Sequence, residues 1–134
     1  MNAAKNLLES LYFEVIPMKG FEEKLGVLKA GDRVGITCSP KQGLQVTLDT
    51  VAKLSDREFS LTPHLAARQV MNKQHLKDIV LQLTDSGITS IFVPGGDLDE
   101  PMGEYDSSAA VLRDLSEMDH PFTRLGVASY AAGH

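Results

Sequence analysis

A pair of glycines followed by a carboxylate closes one apolar run of this sequence. The run at 92–94 leads directly into Gly95, Gly96 and Asp97. A buried parallel strand is typically a run of β-branched and aromatic residues, and α/β proteins place catalytic residues in the turn after such a strand. Asp97 therefore occupies a position expected of a catalytic acid.

Four other apolar segments also carry a polar side chain at or near their carboxyl ends. The first contains Glu14, the second runs into Thr37, and the third runs into His64. The last, at 126–130, ends at Tyr130 and continues to His134. Five strands that each contribute a polar residue to one site are typical of a (β/α)8 barrel.

Apolar periodicity predicts strands that alternate with helices along the whole chain. The strands are expected at 11–16, 33–37, 57–62, 88–93 and 124–129, and the main helices at 21–28, 44–54, 76–83 and 107–118. This alternation implies right-handed βαβ units and parallel strands. A flavodoxin-like sheet fits the count, but its phosphate loop should be rich in Gly, Ser or Thr, whereas the first turn here is Pro17-Met18-Lys19-Gly20.

The strand-end residues favour the other α/β architecture. The predicted fold is a partial (β/α)8 TIM-type barrel with five parallel strands and four main helices, forming a single domain over residues 1–134.

The formal charge is −5 and the basic residues are scattered singly, which argues against nucleic acid and anionic membranes as partners. No run of eighteen apolar residues occurs, and Cys38 is the only cysteine, so we expect a soluble cytoplasmic protein.

Five short motifs resemble the methylenetetrahydrofolate reductase family, in the family's order and spacing. They are Phe13-Glu14-x-x-Pro17, Thr37-Cys38-Ser39-Pro40-Lys41-x-Gly43, Pro63-His64-Leu65-Ala66-Ala67-Arg68, Gly95-Gly96-Asp97 and Gly126-Val127-Ala128-x-Tyr130-x-x-Gly133-His134. The likeness runs from Phe13 to His134. Family members are roughly twice as long, so this chain is similar to the first five strands of their catalytic barrel, as a short relative or as a piece of a longer protein.

The resemblance implies reduction of 5,10-methylenetetrahydrofolate to 5-methyltetrahydrofolate in one-carbon metabolism. The family uses FAD, with NADH or NADPH as reductant. Glu14 matches the family's general acid, and Asp97 matches the carboxylate that binds the pterin and influences the flavin. The remaining matches to the flavin site are Thr37, His64, Tyr130 and His134.

Other interpretations of the same residues stay open. Glu14 in a strand would otherwise be solvent-facing, Asp97 would otherwise cap a turn, and Arg68 would contact a phosphate or pair with a helix face. Many family members have an arginine where this chain has Gly95, so we expect the chain alone to bind FAD weakly. The fifth motif also lacks the family's Pro and Glu, and the corresponding residues here are Ala131 and Ala132.

The second functional hypothesis is a non-catalytic half-barrel that self-associates or binds a partner chain. Three strands of the barrel are missing, so the inward side chains, expected to include Val15, Ile36 and Val93, would have no opposing wall. Each large apolar side chain left in water forfeits about 1.5 to 3 kcal/mol. We therefore expect a homo-oligomer.

Overall fold

Three α-helices and five short parallel strands make up the part of the chain that the structure, a computed structural model, describes: residues 12–17, 23, 25–95 and 98–127. In chain order the elements are β1 (Tyr12–Val15), β2 (Arg33–Ile36), α1 (Leu44–Leu54), β3 (Ser60–Pro63), α2 (Lys73–Asp85), β4 (Ser90–Val93), α3 (Ser108–Ser116) and β5 (Arg124–Val127).

The five strands form two sheets, and the predicted partial barrel is therefore wrong. One sheet has the order β1-β2-β3 and the other pairs β4 with β5, all in parallel. The two sheets meet at an isolated parallel bridge between His64 and Phe92. The strands thus follow one another in sequence order within each sheet, but no continuous ladder joins all five.

Pro63 explains why β3 and β4 do not form a ladder. The amides of Ser60 and His64 donate to carbonyls beside β2, whereas the amide of Leu65 donates to the Phe92 carbonyl at 2.8 Å. The backbone N–H groups along β3 therefore point alternately toward β2 and toward β4. Pro63 stands at a position where the N–H would point toward β4. Because proline has no N–H, the ladder lacks a donor at this position.

The fourth predicted main helix, at 21–28, is described only in part. Glu23 is helical and Leu25–Val27 form a short 3-10 helix, whereas residues 21, 22 and 24 lie outside the described residues. The remaining three helices lie close to their predicted positions, and α1 covers the predicted range 44–54. None of the helices among the described residues is long and apolar enough to cross a membrane.

The helices pack on one face of the strands, and this face contains the core. Val34, Ile36 and Val93 are fully inaccessible to solvent, and Val15 is 8% exposed. Val15, Ile36 and Val93 were expected to line the interior of a barrel, and that expectation is wrong. Side chains alternate between the two faces of a strand, and these three belong to the face that the helices bury.

Local signals fix where two of the helices begin and where one ends. The Asn72 side chain accepts a hydrogen bond from the His75 amide at 2.8 Å, and the Ser107 hydroxyl accepts one from the Ala110 amide at 3.2 Å. Such N-caps each satisfy a backbone donor that the helix leaves unpaired. After α2, Gly87 has φ of 74°, a left-handed conformation that glycine adopts without strain.

Two leucines of α2 provide a matched test of this packing. Leu76 is completely buried, whereas Leu81 on the same helix is 63% exposed. We expect Leu76→Ala to lower the free energy of unfolding by about 2 to 5 kcal/mol, since it removes buried surface and leaves a cavity. Leu81→Ala should change it by no more than about 0.5 kcal/mol. Urea unfolding of both variants measures the difference, and equal effects would contradict the described orientation of α2.

Candidate functional site

The face of the strands opposite the helices is polar, and we call it the open face. Its central row crosses both sheets. Glu14 of β1 pairs in register with Gly35 of β2, and Gly35 with Thr62 of β3. The Thr62 hydroxyl donates a hydrogen bond to the Ser90 hydroxyl at 3.0 Å, and Ser90 pairs with Arg124. The row therefore runs from a carboxylate on β1, across two hydroxyl groups, to a guanidinium on β5.

Aromatic rings lie one step further toward the carboxyl ends of the strands. His64 bridges to Phe92, and Phe92 pairs with Gly126 of β5. The His64 and Phe92 rings meet edge to face, with centroids 4.9 Å apart and planes at 60°. A Cβ atom on Gly126 would lie 3.0 Å from Cδ1 of Phe92, so the phenyl ring occupies the space that a side chain at 126 would need.

These groups enclose a cavity of about 310 Å³ that is open to solvent. Its walls carry one carboxylate, two guanidinium groups, two hydroxyl groups and the histidine–phenylalanine pair. The lining residues are Glu14, Arg33, Thr62, His64, Ser90, Ile91, Phe92, Arg124 and Gly126. They come from all five strands, and the cavity therefore spans the junction of the two sheets.

His64 is the titratable group whose environment within the cavity is most perturbed. Its partial burial disfavours the imidazolium and lowers the pKa of His64 below the ordinary value of 6.5, while the nearby Glu14 carboxylate opposes this by favouring the charged form. Neutral imidazole has one donor and one acceptor nitrogen. At neutral pH, the lowered pKa therefore favours the neutral imidazole of His64.

Two of the predicted site residues share this cavity. Glu14 is exposed at its edge, and its apolar neighbour in sequence, Val15, lies on the opposite, helix-covered face. Thr37 is elsewhere: its hydroxyl donates to the Val15 carbonyl at 3.3 Å, and it does not line the cavity. The predictions for Asp97, Tyr130 and His134 fall outside the described residues.

Arg68 has a different role from either of those considered from the sequence. Its guanidinium donates to the carbonyl oxygens of Leu98, Asp99 and Asp106 at 2.7, 3.0 and 3.1 Å. These contacts hold the long connection after β4 against the segment after β3. The same connection returns a hydrogen bond from the Met102 amide to the Arg68 carbonyl at 2.8 Å. Arg68 is thus a structural residue of this loop.

The described residues around Arg68 offer few free donors for the diphosphate of FAD. Arg68 donates through Nε and Nη1 to three backbone carbonyls. The amides of Leu65, Ala67 and Arg68 donate to carbonyls of the chain around β4. Because these donors are already used, they are not arranged to bind phosphate oxygens. The cavity at 310 Å³ is also near the lower limit of ligand pockets, which range from about 300 to 1,000 Å³.

Strand alternation is the signal by which the other cavity residues could have been found. Arg33, Thr62 and Ser90 each stand next to a buried apolar residue, and Arg124 stands next to Leu125. This alternation is typical of a sheet with one covered and one open face. No known protein family matches the chain, so the arrangement of these residues carries the functional argument.

The environment of His64 predicts a definite dependence on pH. Because its pKa in the folded state lies below 6.5, the unfolded chain binds more protons between the two values. The His64 contribution to stability is therefore complete above the unfolded-state pKa and is lost as the pH falls through the folded-state pKa. We expect Glu14→Gln to lower the pKa of His64 further, since it removes the carboxylate that favours the imidazolium.

An NMR titration of the His64 ring, with urea unfolding at neutral and mildly acidic pH, measures both effects. Asp85→Asn is the control, because Asp85 ends α2 on the helical side of the strands. It should leave the His64 titration unchanged. A His64 pKa that is at or above 6.5, or that rises in Glu14→Gln, would contradict the described electrostatics.

Proposed function

We propose that the cavity binds a folate and belongs to a methylenetetrahydrofolate reductase-like enzyme. The observation that carries the proposal is that Glu14 and His64, two residues that match the family's motifs, line one cavity on the open face. The reaction would convert 5,10-methylenetetrahydrofolate to 5-methyltetrahydrofolate, with NADH or NADPH as the source of the hydride.

Glu14 is the proposed proton donor. Hydride addition to the methylene carbon breaks one of its two carbon–nitrogen bonds, and the departing nitrogen must then take up a proton. A carboxylic acid within hydrogen-bond reach supplies that proton. Glu14 is exposed, so water can return the proton after each turnover. In the net reaction, NADH or NADPH gives up one hydride and is oxidised. The folate takes up that hydride and one proton and is reduced.

His64 and Phe92 are the proposed contacts for the pterin ring. Their rings lie edge to face at 4.9 Å and form an apolar wall beside the hydroxyl groups of Thr62 and Ser90. A planar heterocycle with donors and acceptors at its rim matches such a combination. The size of the cavity suits one ring system better than a dinucleotide. The proposal is therefore a direct transfer from the nicotinamide cofactor, without tightly bound flavin.

Replacement of Glu14 tests the proton-donor role. In a preparation that reduces 5,10-methylenetetrahydrofolate, we expect Glu14→Gln to lower kcat by about 10²- to 10⁴-fold, because the amide keeps the shape and cannot supply a proton. KM should change little. The assay is methylenetetrahydrofolate-dependent oxidation of NADH or NADPH. Glu100→Gln, at an exposed position in the loop after β4, is the matched control and should keep its activity.

The 134-residue chain by itself should turn over slowly or not at all and should be purified without flavin colour. It should nevertheless bind 5-methyltetrahydrofolate, with NMR shift changes at Glu14, His64 and Phe92. Folate binding that is absent, or that is confined to the helices, would refute the proposed function. An unchanged kcat in Glu14→Gln would refute the role of that residue alone.

A second candidate function is self-association through the outer strands. Among the described strands, β1 pairs with β2 alone and β5 pairs with β4 alone. Both carry exposed apolar side chains: Phe13 and Ile16 at β1 are 39% and 55% exposed, and Leu125 and Val127 on β5 are 45% and 44% exposed. Unpaired strand edges bind further strands. A second copy of the chain, joining β5 to β1, would cover both sets.

A charge on β5 tests this candidate. We expect Leu125→Lys to convert an oligomer to a monomer, since lysine on an edge strand opposes pairing. Leu81→Lys on α2 introduces the same charge at an exposed leucine and should leave the oligomer intact. Sedimentation velocity over a range of concentrations gives the mass of each variant. A wild-type chain that remains monomeric at all concentrations would exclude self-association.

A further inference from the structure

Arg33 and Arg124 are the two cationic side chains of the cavity, and the proposed reaction uses neither. No carboxylate of the described residues forms a salt bridge with either guanidinium. The salt bridge among those residues joins Lys73 and Glu117, on the helical side of the strands. Both arginines line the cavity although they belong to different sheets. Two guanidinium groups with no carboxylate partner among the described residues are thus available to an anionic ligand.

The spacing of the strands allows the two arginines to act on one ligand. Strands lie about 4.8 Å apart, so three spacings place β2 and β5 about 14 Å apart at the backbone. Both arginines line the same cavity. Thr62 and Ser90 stand on the intervening strands β3 and β4. The Ser90 hydroxyl accepts a hydrogen bond from the Thr62 hydroxyl. It can therefore donate its own hydrogen bond to a ligand oxygen.

The charge balance of the cavity differs from that of the whole protein. The chain carries a formal charge of −5, yet the cavity has two arginines against one carboxylate. That carboxylate, Glu14, is on β1, at the opposite end of the central row from Arg124. The partial burial of His64 favours its neutral form. A local positive excess on an acidic protein attracts and orients small anions.

We infer that Arg33 and Arg124, with Ser90 and Thr62 between them, form a subsite for the phosphate or carboxylate group of a small-molecule ligand. Guanidinium groups bind such oxyanions through paired N–H donors. The anionic group of the ligand would lie over β3 and β4, between the two arginines, and the rest of the ligand would extend toward Glu14 and His64. The subsite deepens the proposed function, on whose cavity it rests, but anion binding does not require the reduction step.

Titration of the 134-residue chain with inorganic phosphate and, separately, with succinate tests the subsite. We expect saturable binding of at least one probe by calorimetry, weakened tenfold or more in Arg33→Gln and in Arg124→Gln. Arg113→Gln, at an exposed arginine of α3, removes the same charge from the other side of the strands and should bind as the wild type does. Binding of phosphate alone or of succinate alone identifies the anionic group.

Two further measurements keep the test independent of folding and of the reaction. NMR shifts of Ser90 and Thr62 in the wild-type chain should change on anion binding, and this requires no variant. Glu14→Gln should bind the anion as well as the wild type or better. Saturable anion binding by a wild-type chain that neither binds nor reduces the folate would reject the reaction and keep the subsite. Absence of saturable binding, or equal loss in Arg113→Gln, would overturn it.

Discussion

One-sided burial of the strands is the constraint on which the other features of this structure depend. Connections between parallel strands are generally right-handed, and strands that follow in sequence order then have their helices on the same face. Alternate residues of the covered strands therefore enter the core, as Val34 and Ile36 do in β2 and Ile91 and Val93 in β4. Each such side chain contributes about 1.5 to 3 kcal/mol of hydrophobic stabilisation. The opposite face is left free to carry polar and charged groups.

The junction between the sheets depends on a few specific contacts instead of a ladder. Pro63 lacks the N–H that would face β4, and the strands are joined by the hydroxyl pair of Thr62 and Ser90 and by the contact of His64 with Phe92. Beyond the strands, Arg68 ties the loop after β4 to the segment after β3. The connection also approaches closely at Gly103, where a Cβ atom would collide with the Met71 backbone. Side-chain chemistry therefore decides how the cavity is shaped at this point.

Much of the local structure could be predicted from the sequence, whereas the arrangement of the strands could not. The helical spacing of Leu44, Leu48, Val51 and Leu54 gave the bounds of α1 correctly, because a regular apolar period of that length has few alternatives. The same reasoning assigned Val15 to the wrong face. Period-two alternation says that neighbouring residues face opposite sides, but it does not say which side the helices cover.

The candidate site shows the same division. Strand-end polarity identified Glu14 and His64, but Arg33 and Arg124 were missed because they stand at the beginnings of their strands. The effect of Pro63 was also missed, since its consequence depends on which neighbouring strand its missing donor would face. That becomes known only when the hydrogen bonds of Ser60 and Leu65 are assigned. Pairing between distant segments is not encoded in local periodicity.

Alternation along the strands also separates the positions that maintain the fold from those that contact a ligand. A change at Arg33 touches the open face, whereas a change at Val34, one residue away, touches the core. Single-nucleotide changes can therefore alter the chemistry of the cavity at little risk to folding. During evolution such a protein would be able to exchange one small ligand for another through a few substitutions, while its helices and their contacts stay the same. Ligand preference would then diverge faster among related chains than the fold does.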